Sequence, residues 1–367
     1  MKLIFDYQIF SAQKHGGISR YFCNLIKHLK NNPEIQVSLP INHHDNEYLK
    51  EMPEIADIKQ GEKTSFNFFK KKPDQNLLIT NNILRQGDFD VLHTTYYDDY
   101  FLNYIGKKPF VVTVHDMIYE IFPELFPLKD RTALIKKEIS QKADKIIVVS
   151  EYSKRDMLKF MDIREEKIDV IYPACSLDEN LIKNQHFAKF AGVNEYLLFV
   201  GNRSVYKNFY FMLASIAKTL KETPNLDLVC FGAPFDKKEK YYVEKLGLEK
   251  KVKVVTGSDY DLIGLYKNAF AFITPSYYEG FGLTALEAFA CGCPVLASNA
   301  SAIPEACGDA VIYFDPKDNT SIKNALEKLI NNPELRSDMI ALGYEQNKRF
   351  SWPQIANQMK QAYQSIL

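Results

Sequence analysis

At 367 residues the chain is long enough for two domains of ordinary size and too long for one comfortable core. Its 46% apolar and 25% charged content is that of a globular protein, and 46 basic residues against 46 acidic ones leave no global field to attract nucleic acid. No apolar run has the length of a membrane span, and Met1 leads straight into the strand-like Leu3-Ile4-Phe5-Asp6, which is unlike a signal peptide.

Leu3 to Asp6 reads as a first buried strand, followed by a loop with Gly16-Gly17-Ile18 and a helix from Tyr21 to Leu29. Strand, paired-glycine loop and helix open a nucleotide-binding α/β domain in this way, but the pattern is not the G-x-G-x-x-G fingerprint, which disfavours a nicotinamide cofactor. Residues 33–75 read as irregular and polar, with a strand-like piece around Val37 to Leu39. Within them Phe66, Phe68 and Phe69 stand beside Lys70, Lys71 and Lys72. That cluster suits an interfacial loop on anionic headgroups and equally a solvated turn whose rings pack back on the domain.

Strand signals recur at Val91–His93, Phe110–Val114, Lys145–Val149 and Lys167–Ile171 with helical patterns between them, which predicts a parallel sheet covered on both faces. His115-Asp116 follows a strand directly, where functional side chains of such sheets gather. Ser150 is placed to cap the next helix. The tract from Pro173 to about residue 194 reads as an interdomain linker. A second α/β unit opens at Tyr196–Val200, with further strands at Leu226–Phe231, Val252–Val255, Ala271–Thr274, Pro294–Ala297 and Ala310–Phe314. Helices are predicted at 236–246, 259–268, 283–290, 320–331 and 334–349, and an amphipathic one from Pro353 to Ile366 closes the chain. The expected fold class is α/β, with two tandem Rossmann-like doubly wound domains facing across a cleft. The expected boundaries are residues 1–175 and 190–352, with helix 353–367 packing back on the first domain.

The six scattered cysteines read as reduced thiols of a cytosolic protein, and Cys291-Gly292-Cys293 lacks the spacing of a zinc site. Asp259-Tyr260-Asp261 mimics a metal motif, but it starts a helix after Gly257-Ser258, so capping explains it better.

The stretch from Tyr278 to Glu287 organises the rest. Gly280 and Gly282 permit a tight turn between a strand and a helix, and a helix N-terminus there makes an anion site. Glu279 and Glu287 are eight residues apart, or roughly 12 Å if helical throughout at about 1.5 Å per residue. That reach suits a ligand with a diphosphate between two hydroxyl-rich rings. Arg203 and Lys207 lie four apart after a glycine turn, so a single helical face could present both cations to such a diphosphate.

Over essentially its whole length the chain resembles the retaining glycosyltransferase family 4, whose members include many polysaccharide and lipopolysaccharide sugar transferases on the GT-B fold. The resemblance rests on Pro275-Ser276-x-x-Glu279-Gly280-Phe281-Gly282-Leu283-x-x-Leu286-Glu287-Ala288, a complete Glu-x7-Glu signature, and on Gly201-x-Arg203-x-x-x-Lys207-Asn208. Gly16-Gly17-Ile18, Val114-His115-Asp116, Gly292-x-Pro294-Val295 and Pro304-Glu305-x-x-Gly308 match as well. It implies transfer of a hexose such as mannose from a nucleoside-diphosphate sugar, GDP- or UDP-linked, to a hydroxyl of a growing glycan. It implies retention of configuration and no cofactor or metal, Arg203 and Lys207 neutralising the departing diphosphate. Catalytic roles fall to His115, Glu279, Arg203 and Lys207. Donor binding falls to Gly16, Gly17, Asn208, Thr256, Gly257, Gly280, Phe281, Gly282, Leu283, Thr284 and Glu287, besides Arg203, Lys207 and Glu279. Glycan or lipid-linked glycan acceptors, and a membrane contact through the Phe66 to Lys72 patch of a cytoplasmic protein, complete the expected partners. The alternative is a catalytically silent GT-B subunit that binds a partner or a glycan.

Overall fold

The computed structural model describes residues 1–57, 74–185, 187 and 195–367. They form two units, Met1–Pro173 with Trp352–Leu367, and Ala174–Ser351. The patch from Phe66 to Lys72 lies outside the described residues. No helix among the described residues is long and apolar enough to cross a membrane.

The first unit holds six parallel strands: β1 (Lys2–Phe5), β2 (Gln36–Ser38), β3 (Val91–Thr94), β4 (Phe110–Val114), β5 (Lys145–Val148) and β6 (Ile168–Val170). Their order is β2-β1-β3-β4-β5-β6, with Leu3 opposite both Val37 and Val91. Every residue of β3 and β4 is buried, as the uninterrupted apolar runs require of central strands covered on both faces. The helix Gly17–Lys30 covers one face with Tyr21, Phe22, Leu25, Ile26 and Leu29, an i, i+1, i+4, i+5, i+8 stripe. Ser150 caps the helix Glu151–Phe160 by accepting the Ser153 N–H.

The final helix, Trp352–Gln364, belongs to this unit despite its place in the sequence. The Trp352 ring packs 5.6 Å from Tyr21 and 5.9 Å from His28. At the other end Tyr363 is hydrogen-bonded to His93 Nδ1 at 2.8 Å, and His93 Nε2 to Thr113 Oγ1 at 2.8 Å. All three side chains are buried, and burial pushes the His93 pKa down to about 3, so the ring sits there neutral. Tyr363→Phe strands one ring nitrogen in the core and is expected to cost about 1–3 kcal/mol in urea unfolding. A midpoint equal to wild type would show that the link contributes nothing.

The second unit is built from β7 (Glu195–Val200), β8 (Leu226–Phe231), β9 (Val252–Val255), β10 (Ala271–Thr274), β11 (Val295–Ser298) and β12 (Val311–Phe314). All are parallel, in the order β12-β11-β10-β7-β8-β9. Phe209, Met212, Leu213, Ile216 and Leu220 of the helix Phe209–Glu222 share one core with Ile322, Leu326 and Leu329 of the helix Asn319–Asn331. The strand order reverses between β7 and β10. In open α/β sheets, ligands bind at the carboxyl ends of the strands flanking such a reversal.

All twelve strands expected from the sequence are present, and two irregular readings need correction. The 33–75 tract contains the helix Glu47–Glu51 and runs into the helix Gln75–Gln86, while the supposed linker carries the helix Glu179–Asn184. Helices of five or six residues are too short to show a periodic apolar stripe. Their signal lies in the caps, since Asn46 and Asp178 accept backbone N–H groups at the start. The six cysteines carry free thiols.

Candidate functional site

Two loops meet at the β7/β10 reversal. After β7 the chain passes Gly201 to Ser204, makes a single 3-10 turn at Val205–Lys207, and enters the helix Phe209–Glu222 through Asn208 in the left-handed region (φ 57°). After β10 it runs from Pro275 to Gly282 and enters the helix Leu283–Ala290. The Tyr277 N–H donates to Tyr206 O at 2.8 Å, tying one loop to the other. Asn208, predicted to bind donor, is buried and its amide donates to Pro275 O (3.1 Å) and Pro316 O (2.8 Å). These bonds tie the loop after β7 to the loop after β10 and to Pro316 beyond β12.

This joining brings Lys207 to Glu279. The ammonium donates to Glu279 Oε1 at 2.7 Å, and Ser276 Oγ donates to the same oxygen at 2.6 Å. The Glu279 backbone N–H is held by Ser301 Oγ at 2.9 Å. Both side-chain bonds are made to Oε1, so Oε2 is the oxygen with acceptor capacity to offer. The side chains of Lys207 and Glu279 are 18% and 16% exposed, enough to meet a ligand and dry enough to strengthen their attraction.

Beyond them Gly282 has φ 129°, a conformation that side chains rarely adopt, and a Cβ there would stand 3.2 Å from Ala306 Cβ. The N-cap of the helix Leu283–Ala290 is Gly282, which has no side chain to cap it, and the Leu283 and Thr284 N–H groups form its positive end. Glu287, a turn further along, is buried, and its Oε2 accepts from Tyr266 Oη at 3.2 Å. Burial, with Glu287 adding to it, pushes the Tyr266 hydroxyl well above its ordinary range, so it stays a donor. Gly280 is half-buried in the loop. The Phe281 ring packs 5.2 Å from Phe350 in the interior, which limits that residue's offer to its backbone.

Arg203 requires a correction. It does not share a helical face with Lys207, because Ser204 is extended and the turn that follows spans only three residues. The guanidinium is buried and paired with Glu239 through Nε (2.6 Å to Oε1) and Nη2 (3.2 Å to Oε2). Nη2 also donates to Ala233 O at 2.8 Å and Pro234 O at 3.3 Å, and the Phe235 ring centroid lies 4.9 Å from the charge. Nη1 is buried and has no hydrogen-bond partner among the described residues. It lies beside Gly232 (φ 154°), where a Cβ would be 3.6 Å from Nη1 and 2.8 Å from Gly201 O. A buried guanidinium with one edge committed and one edge open has the form of an anion-binding donor.

Thr256 and Gly257 are exposed at the end of β9, with Thr256 Oγ1 donating to Gly232 O at 2.6 Å. Asp261 closes a capping box with Ser258, so the acidic pair there serves the helix.

In the first unit Gly16 is the N-cap of the helix Gly17–Lys30. Gln13 Oε1 accepts the Ser19 N–H at 3.2 Å, and a Cβ on Gly16 would stand 2.1 Å from that oxygen, whereas Gly17 is open. His115 follows β4, its N–H donating to Tyr97 Oη at 3.2 Å and its ring lying 5.0 Å from Tyr21 and 5.7 Å from Phe22. Its Nε2 is buried with no hydrogen-bond partner among the described residues. Burial, reinforced by the Lys136 charge, pushes the imidazole pKa down to about 3, so it is neutral at physiological pH.

The sequence reading missed Glu239, Tyr266, Ser301 and Lys136, none of which stands at a telling spacing from its partner. Ser276 was in view within the quoted motif, without its role.

Residues 182–346 match the family profile described as Glycosyl transferases group 1, and residues 15–179 match that described as Glycosyltransferase Family 4. The chain is 28% identical over 377 residues to O-antigen chain mannosyltransferase B of Escherichia coli, covering 95% of this chain and 96% of that one. It is 27% identical over 224 residues to O-antigen chain mannosyltransferase RfbU of Salmonella typhimurium, covering 61% of each and so less than two thirds of that relative. The fold of HepE from Anabaena, solved in complex with UDP and glucose, matches over 99% of both chains with a TM-score of 0.73 at 18% identity. The chain belongs to glycosyltransferase family 4 and is a hexosyltransferase on the GT-B fold.

Proposed function

We propose that this enzyme moves a hexose, mannose or a close relative, from a nucleoside-diphosphate sugar to a hydroxyl of a growing glycan in lipopolysaccharide or cell-surface polysaccharide synthesis, without a metal ion. The carrying observation is the Lys207–Glu279 pair at the β7/β10 reversal, beside the glycine-capped N-terminus of the helix Leu283–Ala290. The O-antigen mannosyltransferases named above support the sugar and the pathway class, and the UDP in HepE supports a nucleotide-linked donor.

In this reading the diphosphate lies against the Leu283 and Thr284 N–H groups, the open edge of Arg203 and the ammonium of Lys207. An ammonium has three donors, so Lys207 can keep Glu279 and still reach a phosphate oxygen. Glu279 Oε2 accepts a sugar hydroxyl, Glu287 accepts from ribose, and backbone at Thr256-Gly257 borders the base. His115 supplies a neutral imidazole to the hexose. The acceptor oxygen bonds to the anomeric carbon as the bond from that carbon to the phosphate oxygen breaks on the same face. The acceptor's proton passes to the departing phosphate, and configuration is retained. Both carboxylates serve as clamps, so no covalent glycosyl-enzyme forms.

The test is transfer from GDP-mannose or UDP-hexoses to lipid-linked glycan extract, followed by mass spectrometry, with and without EDTA. Transfer that survives chelation is expected. Complete loss restored by manganese would overturn the metal-free reading, and absence of both transfer and slow donor hydrolysis would favour a silent subunit.

A further inference from the structure

Lys136, on the helix Thr132–Lys142, is a charged side chain with 0% exposure. Its ammonium donates to Glu120 Oε2 at 2.7 Å and to Asp116 O at 3.0 Å. The ring centroids of Tyr97 and Tyr119 lie 5.3 Å and 5.6 Å from it. A buried ion pair adds little net stability, since apolar residues of the same volume often do as well or better, so its presence calls for another reason.

The reason lies in what the ammonium holds. One oxygen partner is on Asp116, the residue directly after His115 in the loop that leaves β4, and the other is on Glu120 of the short helix Ile118–Ile121 that follows. Tyr97, whose ring faces the same ammonium, accepts the His115 N–H at 3.2 Å and donates to Thr113 O at 3.4 Å. One ammonium and one phenol thus fix the backbone on both sides of the imidazole.

We propose that Lys136 is a positioning residue for His115, anchoring the Asp116–Glu120 turn so that the imidazole is presented to the sugar as a hydrogen-bonding group. The proposal rests on the reading of His115 as a reaction-site residue. The groups facing His115 are Lys136, Asp116 and Glu120 from its own loop and the following helix, Tyr97 and His93 from the β3 side, and Tyr21 from the helix Gly17–Lys30. With Lys136 present, imidazole protonation lies far below the working range. Removing the ammonium removes only the smaller of the two causes of that low pKa, since burial, the larger, remains. The imidazole therefore stays neutral through the working range in the variant, and what it loses is its placement.

The test is kcat/KM between pH 5.5 and 8.5 for wild type, Lys136→Met, Lys136→Arg and His115→Ala. Lys136→Met is expected to fall about tenfold below wild type at pH 8 from misplacement alone. The deficit should lie in kcat rather than KM and change little between pH 5.5 and 8.5, while Lys136→Arg, which keeps the charge and its donors, recovers most of it. A loss confined to KM, or a Lys136→Arg variant no better than Lys136→Met, would reduce the residue to a structural role, and a Lys136→Met ratio of one throughout would overturn the proposal outright. Should Lys136→Met fail to fold, Lys136→Gln beside Lys136→Arg decides by the same criterion. Wild-type activity in His115→Ala would sink the reading of His115 itself, whereas an inactive His115→Ala with an unimpaired Lys136→Met sinks only the present proposal.

Discussion

Replacing Lys207 by alanine is expected to lower kcat/KM for the sugar-nucleotide donor by about 10²–10³-fold while leaving the fold intact. The loss is that of one preorganised donor aimed at developing charge in a partly dry site. The same substitution releases Glu279, whose Oε1 keeps only the Ser276 hydroxyl. The carboxylate that should receive a sugar hydroxyl loses its orientation as well, so kcat and donor KM should both worsen. Steady-state kinetics against urea unfolding separates this from instability. A Lys207→Ala enzyme within threefold of wild type would remove Lys207 from the site.

The second large effect concerns Arg203 and Glu239. Truncating Glu239 to alanine leaves a buried guanidinium without its carboxylate and is expected to cost about 3–5 kcal/mol of stability, with a comparable collapse of activity. Replacing both residues by apolar ones, Arg203→Met with Glu239→Leu, is expected to restore most of the stability and none of the activity. The contrast distinguishes two roles. If the pair only held the fold together, the apolar double variant would transfer sugar normally. If Nη1 is the edge that meets phosphate, the double variant stays folded and inactive. Unfolding and donor kinetics on the three variants settle which holds.

The two-unit architecture was legible because buried parallel strands are short runs of β-branched and aromatic residues, and those runs are unambiguous from Leu3 to Phe314. The order of the strands was not legible at that level, and it is the β7/β10 reversal that brings Lys207 to Glu279, residues 72 apart in sequence. The Arg203–Lys207 spacing was misread because four residues suggest a helical turn, whereas extended Ser204 and left-handed Asn208 enclose a single 3-10 turn. Glu239 escaped notice for a similar reason: its partner is 36 residues away and its visible signature is that of a helix cap. Phe281 stands inside the signature yet packs against Phe350, so a motif's letters do not say which atoms face the ligand. In the first unit, the strand-end position of His115 was readable, while the ammonium that holds its loop lies in a helix of unremarkable pattern.

The most direct test of the donor site is the thermal unfolding of the purified chain with GDP-, UDP-, ADP- and dTDP-sugars, alongside Lys207→Ala. A ligand that binds the folded state alone stabilises it by mass action, by about 2.7 kcal/mol at a hundred times its Kd. One base is predicted to raise the wild-type midpoint with concentration while the others do not, and the shift should vanish in Lys207→Ala. No shift with any sugar nucleotide, or the same shift in Lys207→Ala, would contradict the assignment of this site.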